Sequence, residues 1–396
     1  MINRIASFHD YQSTARDINR QQVRVHHNQE QLATGKRVLT AGDDPVASIH
    51  TQNIEQQQTQ LDQYLNTINL ARNRLTSAEA AISEAEQIAD TGKRKVMLMI
   101  NGALASEDRQ AYRQDVQSMF DSIMDLANTR DESGNYVFAG TQYDKQPFFR
   151  DNLGQVSYTG DSYQRSAQIA AGIDVPVNDA GDKVFLTVPN PQGDYRSDYA
   201  LQDGSNFLLT HSQNTNNADN SVYDVTFQTT DTGVTYELYQ DGTLVDSRPF
   251  DPKTGVQYNT LTLNFSGELK DGDRISLTRQ ENVNIFDAFK RAIELSEAST
   301  GDASASAELH QVADVMSASF RHLNQVRSEV GIRLQSLDRQ ENAHEDYHLV
   351  LAQSKGRLQD LDYSKAVIDL NENMMALQAS QQAFAKTKDL TLFNYI

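Results

Sequence analysis

One short run in this chain has the spacing of a metal site. His344-Glu345-Asp346-Tyr347-His348 matches H-E-x-x-H. On a helix that spacing sets two imidazoles one turn apart, where they could ligate zinc while the glutamate activates a bound water. The third ligand is the test. A metzincin would carry Gly at Leu351 and His at Ser354, and a gluzincin would need a later carboxylate such as Glu372, beyond the helix break expected at Asp362. With three fixed positions in a stretch rich in His, Glu and Gln, the run reads as chance spacing on a solvated helix face. His26, His27 and His310 lack ligand-type partners at helical spacing and read as solvated too. The chain has no G-x-S-x-G, P-loop or Rossmann glycine pattern, and it has no Cys for a thiolate, disulfide or Cys-based zinc site. No catalytic, cofactor-binding or metal residue is assigned, and the chain reads as a non-enzyme.

The elements that would position such residues are themselves more informative. From Ile2 to about Arg130, and again from about Val283 to Ile396, the sequence is polar helix with apolar residues spaced alternately three and four apart; of the seven prolines only Pro45 falls in these arms. The first stripe is Phe8, Tyr11, Ala15, Ile18, Gln22, Val25, Gln29 and Leu32, interrupted by Gly35 and Gly42. Asp43-Asp44-Pro45 then signals a helix start, a carboxylate cap before Pro at the first helical position. A second stripe runs from Ile54 through Gln57, Leu61, Tyr64, Ile68 and onward to Met99 and Ala103, with a break at Asn101-Gly102 and a new helix from Ser106. At about 1.5 Å per residue such an arm is on the order of 100 Å long, which points to a bundle, coiled coil or rod.

The carboxy-terminal arm mirrors it. Asn284 can cap a helix carrying Phe286, Phe289 and Ile293; a long helix follows with Leu309, Val312, Met316, Leu323, Val326, Val330 and Leu337. Asp362 can cap a last helix with the stripe Val367, Leu370, Met374, Leu377, Gln381 and Phe384. Both terminal stripes are rich in Gln, Ala and Ser and have little apolar area for a stable helix alone, so they are expected to order on assembly.

Between the arms the pattern changes to period two. Val156, Tyr158, Ile173, Val175 and Val177 alternate with polar residues, Val184–Val188 is a strand candidate, Asp194 to Asn220 reads as a polar loop, and Asp241-Gly242 is a tight hairpin turn. The expected fold is mainly α with a β insertion: a long antiparallel, coiled-coil-like helical bundle formed by both termini, plus a small antiparallel β domain in the middle. The expected divisions are 1–42 and 362–396 as terminal helices, 43–180 and 282–361 as a helical bundle with a β extension, and 181–281 as a β-rich outer domain.

Bulk properties limit the partners. The net charge is −19, and residues 131–282, with 10 Lys+Arg against 22 Asp+Glu, carry −12 of it. An acidic chain of this kind is a poor nucleic-acid binder. Mean hydropathy is −0.61, and no apolar run approaches the roughly 20 residues that span a bilayer. The first ten residues lack the apolar core and cleavage site of a Sec-type signal, so no membrane partner is expected, and the chain is expected to be soluble unless another route exports it.

Two motifs carry a family resemblance. Leu32-Ala-Thr-Gly35-Lys-Arg37-Val38 followed by Asp43-Asp44-Pro45 resembles the amino-terminal signature of the bacterial flagellin superfamily; Asp362-Tyr363-Ser364 followed by Leu377-Gln-Ala-Ser380 resembles its carboxy-terminal one. Within the superfamily, Tyr136-Val-Phe-Ala-Gly-Thr141, the ending Leu392-Phe-Asn-Tyr-Ile396, Pro45 and the short insertion look more like the hook–filament junction members than like flagellin. The resemblance implies a structural adaptor that joins hook to filament, exported unfolded through the flagellar type III apparatus to work outside the cell. It implies as partners copies of itself in a ring, the hook-side junction protein (hook-associated protein 1), flagellin and an export chaperone. Its contacts would lie on Phe8, Tyr11, Ile18, Val25, Leu32, Val367, Leu370, Met374, Leu377 and Phe384, and its motif residues are Gly35, Arg37, Asp43, Asp44, Pro45 and Asp362. A flagellin or minor filament subunit is the alternative, and an exported zinc peptidase a distant one.

Overall fold

The computed structural model describes residues 2–100, 106–231, 233–298 and 301–389. Six α-helices and fourteen short strands are present among them, and the chain divides into two compact units, residues 1–65 with 341–396 and residues 66–340. The helices are α1 (Ile2–Thr34), α2 (Pro45–Met99), α3 (Ser106–Ala127), α4 (Ile285–Leu295), α5 (Ala303–Gln359) and α6 (Tyr363–Asp389). Mainly α with a central antiparallel β insertion is the observed class. The break expected at Asn101-Gly102, together with Ala103 and the ending Leu392–Ile396, lies outside the described residues.

In the larger unit the apolar stripes become the core. From Ile68 to Met99 the second stripe is buried throughout, and all seven apolar positions named on α5 are buried. Before Leu61 the register slips: Thr51 is buried and Gln57 is exposed, because polar residues give the helix no apolar line to fix its rotation there. Gly92 occupies one turn of this stripe because a Cβ there would sit 2.9 Å from the Phe289 ring of α4. Asn284 caps α4 as expected, its Oδ1 accepting the Asp287 N–H at 2.6 Å. Phe120, Phe138, Phe148, Phe185, Phe286 and Phe289 are fully buried in this core, each contributing roughly 1.5–3 kcal/mol by leaving water.

The strands are β1 (Phe148–Arg150), β2 (Val156–Tyr158), β3 (Ser166–Ala170), β4 (Ile173–Pro176), β5 (Val188–Pro189), β6 (Tyr195–Ala200), β7 (Leu208–Asn214), β8 (Tyr223–Thr230), β9 (Gly233–Gln240), β10 (Thr243–Pro249), β11 (Val256–Tyr258), β12 (Leu261–Ser266), β13 (Arg274–Arg279) and β14 (Asn282–Val283). Among the described residues the strands pair antiparallel, and a single isolated bridge, Gly193 to Ser212 of β7, is parallel. A five-stranded sheet in the order β10-β9-β8-β13-β6 and a three-stranded sheet β11-β12-β7 enclose a second core around Tyr195, Phe207, Phe227, Leu263 and Leu277. Asp241 and Gly242 both take positive φ, 49° and 79°, and close the β9–β10 hairpin as a type I′ turn does.

Two expectations fail here. Val184–Val188 is not one strand: Asp182–Leu186 forms a π-helical turn, and only Val188 enters a strand, β5. Val184 and Phe185 are consecutive and both fully buried, as neighbours on the inner side of a helical turn can be. The stretch from Asp194 to Asn220 is not one loop, since β6 and β7 run through it. Their inward polar residues Ser197, Ser212 and Asn214 are buried but hydrogen-bonded, Ser212 Oγ to the Gln192 carbonyl at 2.8 Å and Asn214 Nδ2 to Tyr195 Oη at 2.9 Å, so burial carries little penalty.

The π-helical turn is fastened to α5 by charge. Arg333 donates to both oxygens of the fully buried Asp179, at 2.8 and 2.9 Å, and Lys183 Nζ lies 2.8 Å from Glu329. Such bidentate geometry holds a guanidinium and a carboxylate in one relative orientation.

Candidate functional site: the paired chain ends and their double turn

In the smaller unit the two chain ends meet. α1 packs antiparallel along α6, with Gln21 Nε2 donating to Asn373 Oδ1 at 3.1 Å across the seam. The half-buried to buried line on α6 is Ala366, Leu370, Asn373, Leu377, Ser380 and Phe384; on α1 it is Ile18, Gln21, Val25, Asn28 and Leu32. The spacing alternates three and four, as two helices wound side by side require. Ile18, Val25, Leu32, Leu370, Leu377 and Phe384 therefore lie on the seam. Val367 and Met374 do not: they sit on the exposed face of α6 with Ile368 and Met375. Phe8 and Tyr11 lie on α1, with side chains outside the described residues. Both terminal segments, expected to order on assembly, are helical and paired within this one chain.

The seam ends in a double chain reversal built from the motif residues. α1 stops at Gly35, whose φ of +69° suits a residue without Cβ; a Cβ there would lie 2.8 Å from Tyr363 Oη. The strands of the two reversals pair: Lys36 bridges Asp360, the Arg37 N–H donates to Gln359 O at 2.7 Å and the Leu361 N–H to Gly35 O at 2.9 Å. The Arg37 guanidinium donates to Asp44 Oδ2 through both terminal nitrogens at 3.1 Å and to the Leu358 carbonyl at 2.8 Å. One side chain thus ties the α1–α2 turn to the end of α5.

Each carboxylate of the turn has a separate task. Asp44 caps α2, Oδ1 accepting the Ala47 N–H at 3.0 Å ahead of Pro45. That bond, with Arg37 next, holds its carboxyl below the usual aspartate range. Asp43 Oδ2 accepts the N–H groups of Thr40 and Leu39 at 2.8 and 3.0 Å. The Thr40 bond outweighs the opposing burial and, with Leu39 and the nearby His27, lowers this carboxyl too. Asp362 caps α6, accepting the Lys365 N–H at 3.2 Å.

The histidines fall into place as packing groups. His344 is buried, not solvated, and stacks on Tyr64 with ring centroids 5.4 Å apart, whereas His348 Nε2 faces Asp62 Oδ1 at 3.9 Å. The two imidazoles therefore have different neighbours, and no group of three or more potential metal ligands occurs among the described residues. His27, expected to be solvated, is half-buried with Nε2 3.6 Å from Asp43 Oδ1. Spacing along one helix could not show this, because the partners come from α2 and from the turn.

Comparison with known proteins agrees with this geometry. Residues 5–143 match the bacterial flagellin N-terminal helical region. Flagellar hook-associated protein 3 of Escherichia coli (strain K12) is 30% identical over 178 residues, 45% of this chain and 55% of that protein. Its Salmonella typhimurium counterpart is also 30% identical, over 41% of this chain and 52% of that protein. The match spans about half the length of these curated relatives. A crystal structure of the flagellar junction protein FlgL from Legionella pneumophila, 26% identical, covers 78% of this chain and 99% of its own with a TM-score of 0.65. With its paired terminal helices, double turn and central β insertion, the chain is similar to flagellin-type subunits, and its residues 5–143 carry the flagellin N-terminal helical region. Among these proteins it is FlgL-like, similar to hook-associated protein 3. No described helix is long and apolar enough to cross a membrane.

Proposed function

We propose that the chain is a structural subunit of the bacterial flagellum, an adaptor that joins the hook to the flagellin filament. The observation that carries the reading is the pairing of α1 with α6, which leaves apolar side chains of α6 uncovered. A helix pair with an uncovered apolar outer face is suited to side-by-side packing with copies of itself. Residues 1–42 and 362–396 would form the inner tube of a ring, 43–180 and 282–361 its wall, and 181–281 an acidic outer domain facing solvent. Phe8, Tyr11, Ile18, Val25, Leu32, Leu370, Leu377 and Phe384 would set the pairing, while Val367 and Met374 would meet neighbouring subunits. The ring would contact hook-associated protein 1 on one side and flagellin on the other, after chaperone-assisted export through the flagellar type III apparatus. Deletion of the chain tests this. An adaptor's loss leaves hooks without filaments and flagellin shed into the medium; loss of filaments without shed flagellin would instead mark a filament subunit.

A further inference from the structure

We propose that Met374 and Met375 form an oxidation-sensitive site that controls whether a free subunit can join the assembly, an inference that rests on the adaptor reading above. The chain has no Cys, so methionine is its sulfur open to mild two-electron oxidation. Of the methionines whose side chains are described, Met316 and Met99 are 0% and 2% exposed in the core of the larger unit, and Met119 and Met124 are half-buried against it. Met375 is 62% exposed, Met97 47% and Met374 38%. Two of the three accessible thioethers are therefore adjacent, near the middle of α6, on the face that does not meet α1.

That placement gives oxidation a consequence. The seam register puts Asn373 against α1 and turns Met374 outward, where with Val367, Ile368 and Met375 it supplies the exposed apolar side chains of α6 away from the seam. Hydrogen peroxide, the oxidant class we invoke, transfers one oxygen. The thioether sulfur attacks a peroxide oxygen, the S–O bond forms as the O–O bond breaks, and water leaves with the remaining oxygen and both protons. The product sulfoxide is a strong hydrogen-bond acceptor in place of a soft apolar group. Burying two of them without donors in a subunit contact is opposed by their hydration, while the seam itself, made by other residues, stays intact. Once assembled, the same residues would be covered, so the sensitivity belongs to the free subunit.

The experiment treats the purified full chain with hydrogen peroxide. Peptide mass mapping follows the gain of one oxygen per Met, and incorporation is scored by electron microscopy on isolated hooks bearing hook-associated protein 1, with flagellin added. Expected are early oxidation of Met374, Met375 and Met97, late oxidation of Met316 and Met99, unchanged circular dichroism, and incorporation reduced on the order of tenfold or more. The loss should persist in M97L and disappear in M374L/M375L, which keeps the apolar face. Equal oxidation rates at Met316 and Met375, full incorporation of the oxidised chain, or loss persisting in M374L/M375L would each overturn the proposal. Untreated protein that fails to incorporate would overturn the adaptor reading itself, and this inference with it.

Discussion

Gly35 joins the seam to the double turn, and Gly35→Ala isolates what that one residue does. Its φ of +69° costs an L-residue roughly 1–2 kcal/mol, and the stiffer unfolded chain of the variant returns part of that, up to about 1 kcal/mol. The new Cβ also meets Tyr363 Oη at 2.8 Å. Tyr363 is 57% exposed and can swing outward, so this contact adds little. The net expectation is about 1 kcal/mol, felt locally because the Gly35 carbonyl accepts the Leu361 N–H just before α6 begins. Amide hydrogen exchange is the assay: protection at Leu361 and Arg37 should fall about five-fold, with the β-domain amides unchanged. Gly35→Asn should lose less, since Asn tolerates this conformation better. Gly35→Ala combined with Tyr363→Phe should recover only a small part. Unchanged protection in Gly35→Ala, or full recovery in the double variant, would refute the assignment of the cost to backbone conformation.

Three other perturbations test other layers. Arg333→Met strands the buried Asp179 carboxylate, and although Gln164 still donates to it at 2.9 Å and Lys183 lies 4.0 Å away, the larger unit should lose about 3 kcal/mol, read as a fall in Cm in urea. In the β domain, burial raises the Asp219 carboxyl, but donors from Tyr223, Ser221 and Asn214 outweigh it and hold the group at about 2 against its usual 3.8. A depressed carboxylate stabilises above its unfolded value, so this contribution should fade as pH falls from 3.8 towards 2, and near-ultraviolet circular dichroism of Asp219→Asn should lack that acid phase. Leu370→Pro should abolish assembly on electron micrographs while leaving the β-domain signal intact, because it removes a backbone donor and kinks α6 in the middle of the seam.

How far the residues alone could be read depended on how much apolar contrast each element had. Along α2 beyond Leu61 and along α5 from Leu309, large apolar residues recur against charged ones, so the buried line was readable directly. In α1 the choice between Gln21 and Gln22, or Asn28 and Gln29, is a choice between polar neighbours, and hydrophobicity cannot make it. In α6 the contrast misled: Met374 is more apolar than Asn373, yet Asn373 faces α1, where it accepts from Gln21. β6 and β7 were hidden for the same reason, since their inward Ser and Asn residues are satisfied by partners outside their own strands.

The sequence by itself determined the helix boundaries that depend on local chemistry. Asp44 before Pro45, Asn284, Asp362 and the Asp241-Gly242 hairpin each act through atoms within a few residues, so their signals survive without the fold. It also determined, through the length and spacing of its stripes, that helices from both chain ends would pack together. Only tertiary structure decided which face of each weak helix turned inward, where His344 and His27 found partners, and which carboxylate Arg333 would neutralise. Those choices are made by energies summed across elements far apart in the chain. The same summation places Arg37 between Asp44 and Leu358, leaves Met374 outside, and gives the H-E-x-x-H run two different neighbours.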